Sequence, residues 1–398
     1  MVMTSSFRAA LGLLRQSMRS VPRAMLAPET LATYLQPVTN SVGFPAMLLP
    51  SGVDVELDTV GGVQGEWLLP AEASEDLLVW AHGGGFAFCS PGTHRQFLAR
   101  VAARTKCAIF CPNYRKPPRH TFPEPGLDVW KAYGALRSKR TRMFLGGDSA
   151  GGNLALQVAR REPKTVAGLV LLSPWVDLAD VSSSSWTDFR DIDFIPAEQS
   201  RLTAELYAGE GVDLEDPELS PARQESWPEG FPPVLLEYAG AEVFRSQIER
   251  LCKVLKRSGV EVVAHCEERQ VHVYPILDFF APDPVMSEGF FARLEKFVKL
   301  RNGVEFRFKL MLQEDDGLPV AVHVAHEVCQ LLGGSAEEVA DPAARQRMQQ
   351  RLEALREDLG RPRREHGHAI SVFRHDGPST AVVGSYVLCD TVLELLPR

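Results

Sequence analysis

The sequence predicts an α/β domain built on a mostly parallel sheet, followed by a small α+β domain. Up to about residue 300, short uninterrupted apolar runs, such as residues 77–81 and 166–172, alternate with helical patterns. Strands of this kind have both faces covered, which is typical of a parallel sheet flanked by helices. Beyond residue 302 the apolar and polar residues alternate strictly, which is typical of an antiparallel sheet with one covered face. We therefore predict a domain boundary near residue 302.

Composition limits the classes of protein to consider. The 398 residues are 45% apolar and 24% charged, as in an ordinary globular protein. A net charge of −8 argues against a nucleic-acid partner, and no apolar run reaches the roughly 18 residues that a membrane span requires. The seven cysteines are scattered and form no C-x-x-C pair. This pattern favours free thiols in a reducing, cytoplasmic compartment.

Residues 1–45 form a distinct N-terminal region with two interpretations. The first 28 residues carry several arginines and serines and no acidic residue, which is typical of an organelle-targeting segment. Leu11, Leu14 and Met18 also recur at helical spacing, which predicts an amphipathic helix that covers an active site. Both interpretations stay open at this level.

Residues 46–302 contain the predicted α/β domain. A strand at 53–57 is predicted to pair with one at 64–69 across the turn Gly61-Gly62. Further strands are predicted at 77–81, 107–111, 142–145, 166–172, 234–238 and 260–265, and helices at 95–105, 126–138, 247–257 and 284–300. Residues 174–230 break the alternation, so we predict an insertion over the carboxyl edge of the sheet.

Residues 303–398 are predicted to form the α+β domain, whose role is open. Strands are expected at 304–310, 320–324, 370–373 and 381–387, with a charged helix at 342–359. No cysteine pair or flanking carboxylate supports a metal site, so we predict no metal despite five histidines, namely His323, His326, His366, His368 and His375. This domain is a candidate for mediating contacts, and the oligomeric state is not predicted.

The strongest local signal is Gly147-Asp148-Ser149-Ala150-Gly151, between an apolar strand and an alanine- and leucine-rich stretch. G-x-S-x-G at such a junction is the nucleophile-elbow pattern, in which a sharp turn exposes a serine hydroxyl. Small residues are needed there because strand and helix approach closely. Ser149 is therefore the candidate nucleophile.

A serine nucleophile requires a base, an acid and donors to the oxyanion. Glu242 and His272 each follow a predicted strand. With Ser149 they give the chain order serine, acid, histidine, which is the order in enzymes with a nucleophile elbow. His265 is the rival base, and Glu237, Glu267 and Glu268 are the rival acids. A glycine loop, His82-Gly83-Gly84-Gly85, follows the predicted strand 77–81. The expected oxyanion donors are the backbone N–H groups of Gly84 and Gly85 in this loop and of Ala150 in the elbow.

These motifs resemble the hormone-sensitive-lipase family of α/β-hydrolases over residues 45–300. The matching segments are His82-Gly83-Gly84-Gly85-Phe86, Asn113-Tyr114-Arg115, Gly147-Asp148-Ser149-Ala150-Gly151-Gly152-Asn153, Leu172-Ser173-Pro174-Trp175, Leu219-Ser220-Pro221 and Val271-His272-Val273. The resemblance implies carboxylic-ester hydrolysis without cofactor or metal and an N-terminal cap over the site. The chain departs from the family where Glu242 replaces the usual Asp, where Asn113 replaces a common Asp, and in the loop 116–119. The resemblance does not extend to residues 303–398.

We therefore predict a serine carboxylesterase that acts on small-molecule esters with small or medium acyl groups. Candidate acyl-pocket side chains are aromatic, namely Phe86, Phe88, Trp175, Phe244 and Tyr274. One alternative is an acyltransferase or cyclising enzyme that uses the same triad with an acceptor other than water. Another is a non-catalytic small-molecule receptor on the same fold.

Overall fold

The structure is a computed structural model that describes residues 5–21, 23–41, 49–137, 142–278 and 285–300, together with strands at 309–313, 319–322, 368–376, 379–388 and 393–396. The chain divides into two compact units, Met1–Arg301 and Asn302–Arg398. Cysteines 89, 107, 111, 252 and 266 are free thiols.

The first unit is built on an eight-stranded sheet. Its strands are β1 (Val53–Val60), β2 (Val63–Pro70), β3 (Leu77–Ala81), β4 (Ala108–Pro112), β5 (Met143–Asp148), β6 (Gly168–Leu172), β7 (Val234–Ala239) and β8 (Val262–Glu267). They lie in the order β1-β2-β4-β3-β5-β6-β7-β8. β2 pairs antiparallel with β1 and with β4, and the remaining neighbours pair in parallel.

The parallel strands are buried on both faces. On β3, Leu77 and Val79 belong to one apolar cluster, whereas Leu78 and Trp80 belong to another. Successive side chains of a strand point to opposite faces, so these two clusters are the cores on the two sides of the sheet. The uninterrupted apolar composition of the strands follows from this double burial.

Helices precede β1, occupy the connections from β3 to β8 and follow β8. They are α1 (Ser5–Arg19), α2 (Pro28–Thr30), α3 (Gln36–Ser41), α4 (Pro91–Thr105), α5 (Glu124–Arg137), α6 (Ser149–Arg161), α7 (Ser184–Phe189), α8 (Ala197–Ala208), α9 (Arg245–Arg257), α10 (Tyr274–Leu277) and α11 (Val285–Leu300). A 3₁₀ turn (Arg23–Leu26) and a π-helical turn (Leu31–Leu35) lie near the N-terminus, and another 3₁₀ turn (Pro221–Arg223) precedes β7. The segment between β6 and β7 contains α7 and α8, as an insertion into the strand–helix alternation.

The predicted elements of the α/β part are all present, and β3 has its predicted ends, whereas the ends of the other elements are shifted. The largest shift is at α4, which begins at Pro91 instead of residue 95. Thr93 Oγ1 accepts a hydrogen bond from the backbone N–H of Ser90 at 3.2 Å, which satisfies a donor at the start of the helix. Proline is also well suited to the first helical position.

Helix α1 is amphipathic and packs on the rest of the first unit. Leu11 is buried in the apolar cluster that contains Trp80, and Leu14 and Met18 pack against that cluster. On the other side, Arg15 and Arg19 donate hydrogen bonds to backbone carbonyls of residues 191 and 190 in the β6–β7 insertion. Among the described residues, no helix has the length and apolar character to cross a membrane.

The described residues of the second unit form a five-stranded sheet. Its strands are β9 (Lys309–Gln313), β10 (Pro319–Val322), β11 (His368–Asp376), β12 (Ser379–Leu388) and β13 (Leu393–Leu396), in the order β10-β9-β11-β12-β13. Each neighbouring pair is antiparallel. The predicted helix at 342–359 and the first three of the five histidines lie outside the described residues.

Candidate active site

Ser149 stands at a strained turn between β5 and α6. Its φ is 51°, a left-handed value that is uncommon for a non-glycine residue. A Cβ on Gly147 would lie 2.4 Å from the carbonyl oxygen of Gly151, and one on Gly151 would lie 2.0 Å from the carbonyl oxygen of Ala81. Both distances are impossible contacts, so the motif requires glycine at these positions for steric reasons.

The structure joins Ser149, His272 and Glu242 by hydrogen bonds. His272 Nε2 lies 2.9 Å from Ser149 Oγ, and His272 Nδ1 lies 3.1 Å from Glu242 Oε2. All three side chains are buried, with Ser149 the most exposed of them at 8%. The imidazole can therefore accept the serine proton on Nε2 while its Nδ1–H donates to the carboxylate.

Backbone hydrogen bonds hold the two loops of the acid and the base together. Beyond β7, the N–H of Gly240 donates to the Glu267 carbonyl at 2.9 Å, and that of Ala241 donates to the Gln270 carbonyl at 3.0 Å. These bonds extend the parallel pairing of β7 with β8 past the strand ends. They bring the acid loop and the base loop side by side, with Glu242 next to the base.

Burial and nearby charge act in opposite directions on His272. Burial by itself lowers the pKa of an imidazole, because it disfavours the charged form. The hydrogen bond from His272 to Glu242 and the negative charges of Glu242, Asp193 and Asp148 outweigh burial and raise the pKa of His272 above its ordinary value. This environment stabilises the imidazolium that forms when the histidine takes a proton.

The glycine loop after β3 is joined to the elbow by the hydrogen bond from the Gly83 N–H to Asp148. Gly84 and Gly85 have φ values of 111° and 59°. The N–H groups of Ala87 and Phe88 donate back to the Gly84 carbonyl at 3.2 and 2.9 Å, which closes the loop as a tight turn. Ala150 lies in the first turn of α6, where backbone N–H groups have no intrahelical acceptor. These positions suit donors to an oxyanion.

Asp148 connects the elbow to the glycine loop. Its Oδ1 accepts hydrogen bonds from Trp80 Nε1 at 2.9 Å and from the Gly83 N–H at 3.1 Å, and its Oδ2 lies 3.1 Å from His94 Nε2. In the sequence, Asp148 was recognised only as part of the elbow motif, without this role. The acidic residue before the serine was the available signal.

His82 is a structural residue of the glycine loop. Its Nδ1 lies 2.7 Å from the Gly83 carbonyl oxygen, and its own carbonyl accepts the hydroxyl of Tyr114 at 2.8 Å. Burial, reinforced by the nearby charge of Lys116, lowers the pKa of His82 well below its ordinary value. His82 is therefore neutral at neutral pH, and it anchors the loop.

Three of the five predicted pocket aromatics lie together beside the triad. Phe244 meets the His272 ring edge-on, with ring centroids 5.0 Å apart. Trp175 stacks on Phe244 at 5.4 Å and lies 5.5 Å from Phe86. Phe86 in turn stacks on Tyr207 at 3.7 Å. These rings form a continuous apolar wall that starts at the base.

The other two predicted aromatics lie elsewhere. Phe88 packs against a small cluster formed by Leu31 and Ala87, under the N-terminal segment. Tyr274 is buried in the core, and its hydroxyl donates to Glu237 Oε1 at 2.7 Å. Tyr274 thus anchors the histidine loop instead of facing the other aromatics.

The rival residues have partners of their own. His265 lies near Glu267, with 3.5 Å between Nε2 and Oε2. Glu237 is fully buried and accepts two hydrogen bonds from Arg293, at 2.6 and 3.0 Å. Glu268 lies 3.2 Å from Arg245 at the surface. Of the described carboxylates, Glu242 is the one hydrogen-bonded to His272.

Two residues of the β6–β7 insertion lie at the site and were not predicted to do so. Phe194 lies against His272, with ring centroids 5.8 Å apart. Asp193 is fully buried, and its charge acts on both His272 and Glu242. No local motif marks either residue, because both reach the site from a segment of irregular pattern.

Comparison with known proteins agrees with the fold. A family model described as the α/β-hydrolase fold matches residues 78–276, which include all three triad residues. An acetyl-hydrolase of Streptomyces hygroscopicus is 33% identical over 239 residues, which are 58% of this chain and 77% of that protein. An esterase of Acinetobacter venetianus is 27% identical over 259 residues, which are 63% of this chain and 82% of that protein.

Solved structures show the same relationship. A crystal structure of an esterase from the bacterial hormone-sensitive lipase family matches with a TM-score of 0.63 and 25% identity. The match covers 76% of this chain and 99% of that chain. The fold, the motifs and these relatives agree, and the chain belongs to the hormone-sensitive-lipase family of α/β-hydrolases, as a carboxylic ester hydrolase.

Proposed function

We propose that this carboxylesterase hydrolyses small-molecule esters through an acyl-enzyme on Ser149. The observation that carries the proposal is the continuous hydrogen-bond path from Ser149 Oγ through the His272 ring to Glu242. This path supplies a nucleophile, a base that contacts it and an acid that orients the base. This hydrogen-bonded arrangement supports Ser149 as the nucleophile, His272 as the base and Glu242 as the orienting acid.

In the acylation step, Ser149 Oγ attacks the ester carbonyl carbon and His272 Nε2 takes the hydroxyl proton. Glu242 holds the ring so that Nδ1 keeps its proton and Nε2 is free to accept one. The tetrahedral intermediate collapses when the C–O bond to the alcohol breaks, and His272 returns the proton to the leaving oxygen. The products of this step are the free alcohol and the serine ester.

The negative oxygen of the intermediate is stabilised by backbone donors from Gly84, Gly85 and Ala150. Such groups are most effective when they are already oriented toward the developing charge. The turn at Gly84 and the hydrogen bond from the Gly83 N–H to Asp148 support this orientation. Loss of one donor in such a site typically costs about 10²–10³ in turnover.

Deacylation repeats the chemistry with water. His272 removes a proton from a water molecule as its oxygen attacks the acyl carbon, and the proton then passes to Ser149 Oγ as the acyl–enzyme bond breaks. The products are the carboxylic acid and the free serine. An acyltransferase would differ at this step alone, because another acceptor would replace water.

We further propose that Phe86, Trp175 and Phe244 border the acyl group. The support is their continuous packing up to the His272 ring. All three rings are nearly or fully buried and pack on each other. The acyl groups that we propose are small or medium in size. A panel of p-nitrophenyl esters of increasing acyl length measures this preference.

The central test uses a serine-directed phosphonate and a p-nitrophenyl ester with the full-length chain. We expect one labelled residue, Ser149, and loss of both labelling and ester hydrolysis in Ser149→Ala. Removal of such a nucleophile typically lowers turnover by about 10⁶. Full activity in Ser149→Ala would refute the mechanism, and absence of any hydrolysis or labelling in the native chain would favour the receptor alternative. Analysis of products formed with added alcohols or thiols separates hydrolase from transferase.

A further inference from the structure

The β6–β7 insertion places a second buried carboxylate beside the triad. Asp193 is 0% exposed. Its Oδ2 accepts the backbone N–H of Val243 at 2.9 Å, and its Oδ1 accepts the N–H of Phe194 at 2.8 Å. Val243 directly follows Glu242, and Phe194 packs on the His272 ring. Asp193 therefore contacts the backbone next to the catalytic acid and the backbone of a ring that covers the base.

We propose that Asp193 is a positioning residue of this esterase, which holds the Glu242 loop in place and supplies a second negative charge to the His272 imidazolium. This inference rests on the function proposed above for Ser149, His272 and Glu242. It assigns to the insertion a part in the reaction, in addition to its packing over the sheet.

The hydrogen bonds of Glu242 show why its loop needs support. Oε2 of Glu242 bonds to His272, whereas Oε1 is buried with no hydrogen-bond partner among the described residues. The carboxylate itself is thus held at one oxygen. Its position depends on the backbone, and Asp193 fixes the N–H of the next peptide while Ser185 Oγ donates to the Val243 carbonyl at 2.7 Å. Both contacts come from the insertion.

The charge of Asp193 acts on the proton that moves in catalysis. The acidic groups around His272 are Glu242 from the β7 loop, Asp193 from the insertion and Asp148 from the end of β5, and all three raise its pKa. Burial raises the pKa of Asp193 itself to about 6, with His272 opposing and Glu242 adding to the rise. Above that pH the Asp193 carboxylate is charged and favours the imidazolium form of His272. Removal of this charge therefore makes His272 a weaker base.

The test compares kcat, KM and the pH dependence of kcat/KM for Asp193→Asn on a p-nitrophenyl ester. We expect kcat to fall by up to about 100-fold, as for a reacting group misplaced by about 1 Å. KM should stay close to the native value, because Asp193 contacts the backbone of Val243 and Phe194 and acts on the reaction through them. The acid limb of kcat/KM should move to lower pH, because His272 loses a neighbouring negative charge. The matched control is Asp188→Asn, an exposed aspartate of α7, which should behave as native.

A double-mutant cycle separates positioning from general support of the fold. In a Glu242→Gln background, Asp193→Asn should cost much less than it does alone, because the group that it positions is already impaired. Equal losses in both backgrounds, or a native kcat and acid limb in Asp193→Asn, would overturn the inference. If Asp193→Asn does not fold, Asp193→Ser serves as a second variant: it is smaller, retains one acceptor and should show the same shift of the acid limb.

Failure of this inference is distinct from failure of the proposed function. Loss of activity in Ser149→Ala with native behaviour in Asp193→Asn would refute the role of Asp193 alone. Activity retained in Ser149→Ala would refute the proposed mechanism, whatever Asp193→Asn does.

Discussion

Replacing Glu242 by Gln tests which of several glutamates orients the base. The substitution keeps the shape of the side chain and removes its charge. Two unit charges about 4 Å apart interact by about 4 kcal/mol at an effective dielectric constant of about 20. Loss of that interaction with the imidazolium corresponds to a factor of about 10³ in turnover.

The amide introduced by Glu242→Gln also affects the imidazole tautomer. If the amide nitrogen faced His272 Nδ1, the ring would carry its proton on Nε2 and would no longer accept one from Ser149. The comparable Asp-to-Asn change in serine proteases costs about 10⁴. Because Glu242 Oε1 has no hydrogen-bond partner among the described residues, little prevents the amide from taking either orientation. We therefore expect turnover to fall by a factor of about 10³–10⁴. The lower value corresponds to loss of the charge interaction and the higher value to the wrong tautomer.

The assay is steady-state hydrolysis of a p-nitrophenyl ester, with phosphonate titration to count competent serines. The acid limb of the residual activity should move to lower pH, because the bond and charge that raise the pKa of His272 are lost. Glu242→Asp should lose less, through displacement of a group that keeps its charge. Near-native turnover in Glu242→Gln, together with loss of activity when Glu237, Glu267 or Glu268 is changed, would refute the assignment.

Three further predictions concern stability and domain organisation. Glu237→Gln should lower the free energy of unfolding by about 3 kcal/mol and change turnover little, because it leaves the Arg293 charge without its partner while Arg293 keeps some contact with solvent. Thermal unfolding should show a fall in Tm of roughly 5–10 °C. A large loss of kcat at native Tm would contradict this prediction. Gly151→Ala should give insoluble or inactive protein, because its Cβ would lie 2.0 Å from the Ala81 carbonyl oxygen; native activity would show that the elbow can widen. A chain truncated after residue 302 should fold and hydrolyse small esters; failure to fold would mean that the two parts share a core, and a folded but inactive chain would mean that the second part helps to form the site.

The sequence predicted the features that depend on local pattern. Double burial of a parallel strand selects an uninterrupted apolar run, so β3 was predicted with its observed ends. The elbow was recognisable because the turn at Ser149 leaves room for glycine alone at its close contacts. The order of serine, acid and histidine followed from the same strand-by-strand reading, since each residue stands just beyond a strand end.

What the sequence left open were distances between segments far apart in the chain. Ser149 and His272 are separated by 123 positions, and His272 and Glu242 by 30, so local pattern cannot tell which carboxylate meets the ring. The choice between Glu242 and Glu237 depends on side-chain direction. Glu237, on β7 itself, points to Arg293 and Tyr274, whereas Glu242, beyond the strand end, reaches His272.

Local pattern was enough to predict the strands, the elbow and the candidate triad residues, because burial and tight turns constrain residues one after another along the chain. Packing between distant segments shows which glutamate bonds to the histidine, that Tyr274 anchors a loop in the core, and that Asp193 lies beside the triad. These are properties of packing between the β6–β7 insertion and the strand ends. Residues in an irregular segment carry no periodic signal, so their place at the site is defined by the neighbours they meet in the folded chain.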